Sequence, residues 1–391
     1  MMESKYQEVS GLYLSLQWPS PPRNVLLVKK PYVPVVTESF IEFANHIHST
    51  YPSLSIILEP KVASELHEAF SFPVYTTSSG SGPSELHQKV DLTTTLGGDG
   101  TILHAASLFS TTSYVPPVLS FSMGTLGFLG EWKFAEYKRA FREFYMSGAG
   151  VGERNALLEG QRDDIGNSGW SSIRGKSMGS TRGARVLRRS RLKVGIFDAS
   201  GNRILGDSRA SDAAPDHDVH AMNEVIIHRS KDPHLCIVEV FVDGRFLTEA
   251  MADGMIISTP TGSTAYNLSS GGSIIHPLVP SLLLTPVCPR SLSFRPLVLP
   301  ANTPITLRLS SKNRGREVEV GMDGARLRRG VVAGMEVRVS GEEIEQDEKG
   351  CFAGGVPCII RSDGGNGASD DGWVEGLNGL LKFNYPFGEE H

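Results

Sequence analysis

The chain has 391 residues, 40% of them hydrophobic, and a net charge of −5. That is enough for more than one packed domain, and the charge argues against a nucleic-acid binder, because phosphate backbones ask for clustered positive charge. No apolar run reaches the ~18 residues a membrane helix needs, and Cys236, Cys288, Cys351 and Cys358 form no CxxC pair, as expected of reduced thiols without a zinc site.

Residues 1–22 read as an N-terminal extension. Met1 to Pro22 has no Arg and carries Glu3 and Glu8, a poor composition for a targeting peptide. Residues 23–148 alternate strand and helix. Asn24 to Val28 is a short apolar run, read as a buried strand, and Pro31 and Pro34 punctuate the loop after it. From Thr37 a helix is predicted, with Phe40, Ile41, Ala44, Ile47 and His48 at helical spacing. Leu54 to Leu58 reads as a strand, Val62 to Phe70 as a helix, and Leu92 to Leu96 as a strand ended by Gly97-Gly98. Ile102 to Phe109 follows as a helix, Val118 to Phe121 as a strand, and Glu131 to Met146 as a long helix. Such alternation predicts an α/β domain with a mostly parallel sheet and helices on its faces.

The texture changes near Gly148. Residues 159–184 are rich in Gly, Ser, Arg and Asp and cannot bury enough apolar surface to offset ordering, so they read as a flexible insertion. Short strand-like runs follow at Leu192–Phe197, Val225–His228, Ile237–Val242 and Met255–Ile257, then at Leu297–Leu299, Ile305–Leu309, Val318–Val320 and Val337–Val339. Turn signals such as Asp198-Ala199-Ser200-Gly201 and Asp243-Gly244 separate them. Residues 149–345 therefore read as a second, β-rich domain. Residues 346–391 read as a C-terminal segment whose helix, Gly372 to Leu381, returns to the first domain.

Two segments carry chemistry. In Leu96-Gly97-Gly98-Asp99-Gly100-Thr101 a strand ends, glycines turn the chain and a helix begins. Glycines let backbone N–H groups approach a phosphate, and a helix N-terminus adds free donors and partial positive charge. An acid there repels phosphate unless it serves as a general base, a role Asp99 fits. A plain β-turn with Asp99 as helix N-cap explains the same residues. The second segment runs from Asp253-Gly254 through Ser258-Thr259-Pro260-Thr261-Gly262-Ser263-Thr264-Ala265-Tyr266 to Ser269, Gly271 and Gly272. Its dense hydroxyls offer donors to ribose and adenine, and Tyr266 offers a ring. An ST-rich turn is the bland alternative. Asn223-Glu224, alone, is a polar strand entrance.

Together these blocks resemble the NAD/NADH kinase family, which shares a GGDGT loop, an Asn-Glu or Asn-Asp pair and a DGxxxSTPTGSTAYxxSxGG block, in this order. The resemblance runs from about Asn24 to the C-terminal helix and includes Leu283 to Pro296. Leu27 to Pro31, Pro233-His234-Leu235 and the Trp373 region resemble most the fungal mitochondrial NADH kinase branch. The resemblance implies a Rossmann-like α/β domain of the NAD kinase/diacylglycerol kinase type plus a sandwich-like β domain, with the site between them. It implies that Asp99 is the proton acceptor, with Gly97, Gly98, Gly100 and Thr101 around it. Asn223 and Glu224 would bind the acceptor nucleotide, and Asp253 would be an acid at the dinucleotide site. Thr261, Thr264, Ala265, Tyr266 and Ser269 would hold adenosine. The implied reaction carries the γ-phosphoryl of ATP, as its Mg²⁺ complex, to the 2′-hydroxyl of NAD or NADH. Family members form homo-oligomers, dimers or tetramers, and the branch implies the mitochondrial matrix, with the cytoplasm as the alternative.

A lipid or sugar kinase sharing a GGDG loop explains Gly97–Thr101 but not Thr259–Ser269, and no amphipathic membrane face is apparent. A non-catalytic dinucleotide sensor predicts a lost acid, yet Asp99 is present. Gly169 to Ser177 has five residues where the P-loop needs four. Arg182, Arg185, Arg188, Arg189, Arg191 and Lys193 read as a solvated face. His46 and His48 lie on different sides of a helix, and His217 with His220 lacks a third metal ligand. Asn267-Leu268-Ser269 is a glycosylation sequon in pattern only.

Overall fold

A computed structural model describes residues 4–10, 13–77, 83–124, 127–130, 132–148, 183–204, 218–229, 231–315, 317–327, 330–347, 351–361 and 373–381. The insertion read at 159–184 lies almost wholly outside them, as do the P-loop-like run, Arg182 and His217.

The first half runs β1 (Lys5–Ser10), β2 (Tyr13–Gln17), β3 (Asn24–Lys29), α1 (Pro34–Thr50), β4 (Ser55–Leu58), α2 (Pro60–Leu66), β5 (Tyr75–Thr76), α3 (Pro83–Lys89), β6 (Leu92–Gly97), α4 (Asp99–Ser107), β7 (Val118–Ser122), β8 (Trp132–Lys133) and α5 (Tyr137–Tyr145). The remaining strands are β9 (Arg185–Arg189), β10 (Leu192–Phe197), β11 (Arg203–Ile204), β12 (Val219–Ala221), β13 (Glu224–His228), β14 (Cys236–Val242), β15 (Arg245–Ala252), β16 (Gly254–Ser258), β17 (Ser281–Val287), β18 (Leu297–Pro300), β19 (Ile305–Leu309), β20 (Glu319–Met322), β21 (Ala325–Arg326), β22 (Glu336–Gly341), β23 (Glu345–Gln346), β24 (Phe352–Ala353) and β25 (Val356–Ile359). Helices α6 (Tyr266–Ser269) and α7 (Trp373–Leu381) follow, and 3₁₀ turns lie at His67–Ala69, Phe134–Glu136 and Thr261–Thr264.

The first sheet is ordered β1-β2-β9-β25-β7-β6-β3-β4-β5. From β25 to β5 every pairing is parallel, while β1, β2 and β9 add antiparallel strands at one side. Parallel strands buried on both faces read as continuous apolar runs, and Val25 to Val28 are fully buried. Helix α1 starts where Pro34 sets φ for its first turn and buries Phe40, Phe43, Ala44 and Ile47 against that sheet. Residues 1–22, read as an extension, supply β1 and β2, which bury Tyr6, Tyr13 and Leu16. The long helix read at Glu131–Met146 shortens to Tyr137–Tyr145, because Trp132 pairs with Phe121 of β7 and a 3₁₀ turn, Phe134–Glu136, intervenes.

The second domain is a sandwich. Its sheets are ordered β11-β10-β22-β19-β14-β15, with β12 on β10, and β18-β17-β16-β13-β20-β21. Alternate residues of both sheets, Val225 and Ile227, Met255 and Ile257, Val238 and Val240, Ile305 and Leu307, form one core, as the period of two requires. Helix α7 reaches the loop after α6 through Trp373, whose ring meets His276 at 4.7 Å. No described helix is long and apolar enough to cross a membrane.

The basic run is a solvated face only in part: the Lys193 side chain is 51% exposed. Arg189 and Arg191 are 3% and 2% exposed. The Arg191 guanidinium pairs with Glu342 and donates to the Phe109 and Thr112 carbonyls at 3.0 and 2.8 Å, fastening the end of α4 to the second domain.

Candidate active site

Strand β6 delivers Gly97 to a tight approach: a Cβ there would lie 2.1 Å from Thr101 Oγ1. Gly98 is the N-cap of α4 and makes no side-chain cap bond. The Thr101 N–H donates to the Gly98 carbonyl at 2.9 Å, and no side chain caps the rest of the first turn, at the positive end of the helix dipole. Added Cβ atoms on Gly98 and Gly100 would meet nothing within 4 Å, so the loop presents bare backbone. Gly98, Gly100 and Thr101 line a cavity of about 580 Å³.

Asp99 is not the N-cap. It opens α4, and its carboxylate accepts the Phe128 and Leu129 backbone N–H groups at 3.0 and 3.2 Å. Gly127 lets this happen, since a Cβ there would sit 2.0 Å from Asp99 Oδ1. Leu129 packs with Ile102 of α4 and with Met222, the residue before Asn223. One apolar cluster thus joins the glycine loop to the second domain's polar pair.

That pair is held from behind by a residue the sequence reading missed. Asp323 accepts backbone N–H groups from Met222, Asn223 and Glu224 at 2.8, 2.7 and 3.2 Å. Asp323 and Gly324 have φ of 48° and 74°, the left-handed pair of a hairpin turn between β20 and β21. The signal was the Asp-Gly dipeptide between two strands, which predicts a turn and not the carboxylate's direction. Burial raises the Asp323 pKa against the lowering effect of its three N–H donors. Burial, then repulsion from Asp323, pushes Glu224 up to about 7.

The hydroxyl loop meets the same place. Thr259 donates from its backbone to the Asn223 carbonyl at 2.9 Å and from Oγ1 to the Met222 carbonyl at 2.7 Å. Gly262 crosses so close that a Cβ would lie 2.2 Å from the Asn223 carbonyl oxygen. Asn267 is buried and pins the loop: it donates to the Ser263 carbonyl at 3.1 Å and accepts the Thr285 hydroxyl at 2.6 Å. The sequon is therefore closed to modification. Thr264 and Ala265 are half-buried, and Tyr266 and Ser269, one helical turn apart on α6, are exposed. Asn223 Oδ1, Glu224 Oε2 and Thr261 Oγ1 are buried with no hydrogen-bond partner. Buried polar atoms are satisfied almost everywhere in folded proteins, so these three are open to hydrogen bonds from a polar ligand.

Asp253 is not brought to these residues. It precedes β16, whereas Thr259 follows it, and six extended residues span about 20 Å. Its carboxylate pairs with Arg229 at 2.5 Å. A slightly larger cavity, about 610 Å³, lies between β15 and the segment from Pro289 to Leu297, lined by neither the glycine loop nor the hydroxyl loop.

The pattern described as the ATP-NAD kinase N-terminal domain matches residues 25–149, and that of the ATP-NAD kinase C-terminal domain matches residues 222–343. The chain belongs to the NAD kinase family. The mitochondrial NADH kinase of Schizosaccharomyces pombe is 40% identical over 373 residues, 95% of this chain and 78% of that protein. The mitochondrial NADH kinase of Saccharomyces cerevisiae is 35% identical over 401 residues, 95% of this chain and 83% of that one. The crystal structure of a yeast NADH kinase complexed with NADH superposes with a TM-score of 0.77 at 35% identity, covering 100% of this chain and 96% of that one. A NAD kinase with an α/β first domain and a β-rich second domain is thus an NAD(H) kinase by family, and the lipid and sugar kinase reading is set aside.

Proposed function

We propose that this NAD kinase transfers the γ-phosphoryl group of ATP to the adenosine-ribose 2′-hydroxyl of NADH or NAD, yielding NADPH or NADP. The observation that supports it is the convergence of Asp99 with the unsatisfied Asn223, Glu224 and Thr261 across the cluster of Ile102, Leu129 and Met222. In this reading Asn223, Glu224 and the loop from Thr261 to Ser269 hold the acceptor's adenosine half. Asp99 takes the hydroxyl proton as oxygen attacks the γ-phosphorus, and the ADP oxygen leaves. The two backbone donors on Asp99 aim the carboxylate, so catalysis is chiefly positioning and charge neutralisation. Among the described residues no group of three or more His, Cys, Asp or Glu could hold a metal. In this reading Mg²⁺ would enter as part of the donor, as phosphate-bound Mg²⁺ does in kinases.

We also propose a homo-oligomer, in which a second copy would present Asp253, about 20 Å along β16 from the hydroxyl loop, to the dinucleotide. Light scattering of the purified protein reads that directly. The mitochondrial matrix is the proposed compartment, supported by the two mitochondrial relatives and tested by fractionation. The activity is tested by incubating pure protein with ATP-Mg²⁺ and either NAD or NADH. NADP or NADPH is expected with at least one acceptor, and the ratio of kcat/KM values ranks them. Folded protein that forms neither product would overturn the assignment.

A further inference from the structure

Asp99 is aimed by two backbone donors, and one of them is itself held from behind. The Leu129 N–H, 3.2 Å from Asp99 Oδ1, shares a peptide unit with the Phe128 carbonyl. That carbonyl accepts a hydrogen bond from Arg189 Nη2 at 3.4 Å. A peptide is a planar, resonant unit, so charge drawn to its oxygen makes its N–H a stronger donor. A chain therefore runs from the Arg189 guanidinium through the Phe128–Leu129 peptide to the carboxylate that opens α4. The Arg189 contact is long, yet a cation acts on a peptide dipole over more than bonding distance, and more strongly out of water.

Packing alone does not account for this arginine. Arg189 is 3% exposed, and its Nε is buried without a partner. Among the described residues its guanidinium bonds only the Phe128 carbonyl. The neighbouring arginines are compensated otherwise. Arg188 lies between the rings of Tyr6 and Phe352, 4.9 and 4.5 Å from their centroids, and Arg191 pairs with Glu342. A cation taken out of water with so little around it is costly, and a methionine would fill a similar volume without that cost. The place is also specific. Arg189 stands opposite Val356 of β25, and Val356 packs with Ile102, Leu129 and Met222 in the cluster that joins the glycine loop to Asn223.

We propose that Arg189 is a positioning residue for the phosphoryl transfer: its charge, relayed by the Phe128–Leu129 peptide, strengthens the bond from the Leu129 N–H and so fixes the Asp99 carboxylate towards the acceptor hydroxyl. The inference rests on the kinase reading, with Asp99 as base, and adds the residue that acts on the base from behind. Arg189 reaches the reaction only through that peptide.

The test is a double-mutant cycle read by steady-state kinetics with ATP-Mg²⁺ and whichever of NADH and NAD the wild type uses. Arg189→Met should lower kcat about 10- to 100-fold, the worth of a charged hydrogen bond, with KM for both nucleotides close to wild type. Arg189→Lys keeps a charged donor and should recover most of that loss. In an Asp99→Asn background Arg189→Met should cost nothing further, because the carboxylate it acts on is gone. Unchanged kcat in Arg189→Met would overturn the assignment. So would the same fractional loss in both backgrounds, which marks a merely structural role, or a rise in either KM at unchanged kcat, which marks a nucleotide-binding group. Thermal melting is recorded first; should Arg189→Met melt far below wild type, Arg189→Gln, which keeps an uncharged donor, takes its place in the cycle and is read in the same way. Wild-type protein that makes neither NADP nor NADPH sinks the kinase reading itself, whereas normal wild-type turnover with an additive cycle sinks only the role of Arg189.

Discussion

Replacing Glu224 by Gln should make the protein more stable and a worse enzyme, and the gain should grow with pH. Glu224 is 7% exposed, lies beside Asp323 and has one carboxylate oxygen without a partner. Its pKa moves from 4.5 to about 7. Below 4.5 folded and unfolded chains are both protonated here, and burial brings no charge penalty. Between 4.5 and 7 the unfolded chain releases the proton and the folded chain keeps it, so stability falls as pH rises. Above 7 the penalty is complete, about 3 kcal/mol at about 1.4 kcal/mol per pH unit. Glutamine mimics the protonated acid and removes it. Thermal midpoints move about 2–4 °C per kcal/mol in a domain of 150–250 residues, so the variant should melt several degrees above wild type at pH 8 and close to it at pH 5. Its KM for NADH at pH 8 should rise, because the ionised carboxylate that accepts a ribose hydroxyl is gone. A midpoint difference independent of pH, or a variant less stable than wild type at pH 8, would refute the reasoning.

Asp99→Asn should lower kcat by about 100- to 10,000-fold, the worth of a positioned general base, with thermal stability close to wild type; near-wild-type turnover would remove Asp99 from that role. Gly127→Ala forces a methyl to within 2.0 Å of Asp99 Oδ1 and should cost about 100-fold in kcat through misplacement of that carboxylate, while NADH fluorescence titration shows unchanged binding. Arg191→Met leaves Glu342 buried without its guanidinium and should cost about 3–5 kcal/mol in denaturant unfolding. The loss should be smaller at about pH 5.5 than at pH 8. Burial and the Arg191 charge both lower the His220 pKa, so in the variant His220 protonates more readily, 3.3 Å from Glu342.

The α/β half was legible because its signals are local. Asn24–Lys29 and Val118–Ser122 are buried, largely apolar runs, and α4 begins at Asp99, inside the glycine loop and three residues before the helix read from Ile102. The sandwich was legible as alternation, with Leu192–Phe197 and Ile305–Leu309 read to the residue. What escaped reading depends on distant partners. Lys5–Ser10 and Tyr13–Gln17 become strands by pairing with each other and with Arg185–Arg189. In the latter, Arg188 and Arg189 donate to the Gly354 and Phe128 carbonyls from distant parts of the chain. Arg245–Ala252 is an edge strand with exposed Phe246 and Leu247, so its alternation is weak. Of the site, the glycine loop and the hydroxyl loop were legible as backbone chemistry. Asp323 was not, because its role is set by a contact about 100 residues away in sequence.

Several residues that break local rules lie around Asn223. Glu224 and Asp323 are neighbouring buried acids, each with a raised pKa and burial as the first cause. Asn223 and Thr261 bury polar atoms without partners. A fold selected for stability alone would neutralise the acids and satisfy the amides, and single substitutions would do it. Contradictions of this kind persist where the surrounding structure enforces them and a ligand relieves them. Saturating NADH should therefore raise the thermal midpoint more than its affinity for Glu224→Gln alone would give, since in wild type the ligand also supplies the missing partners.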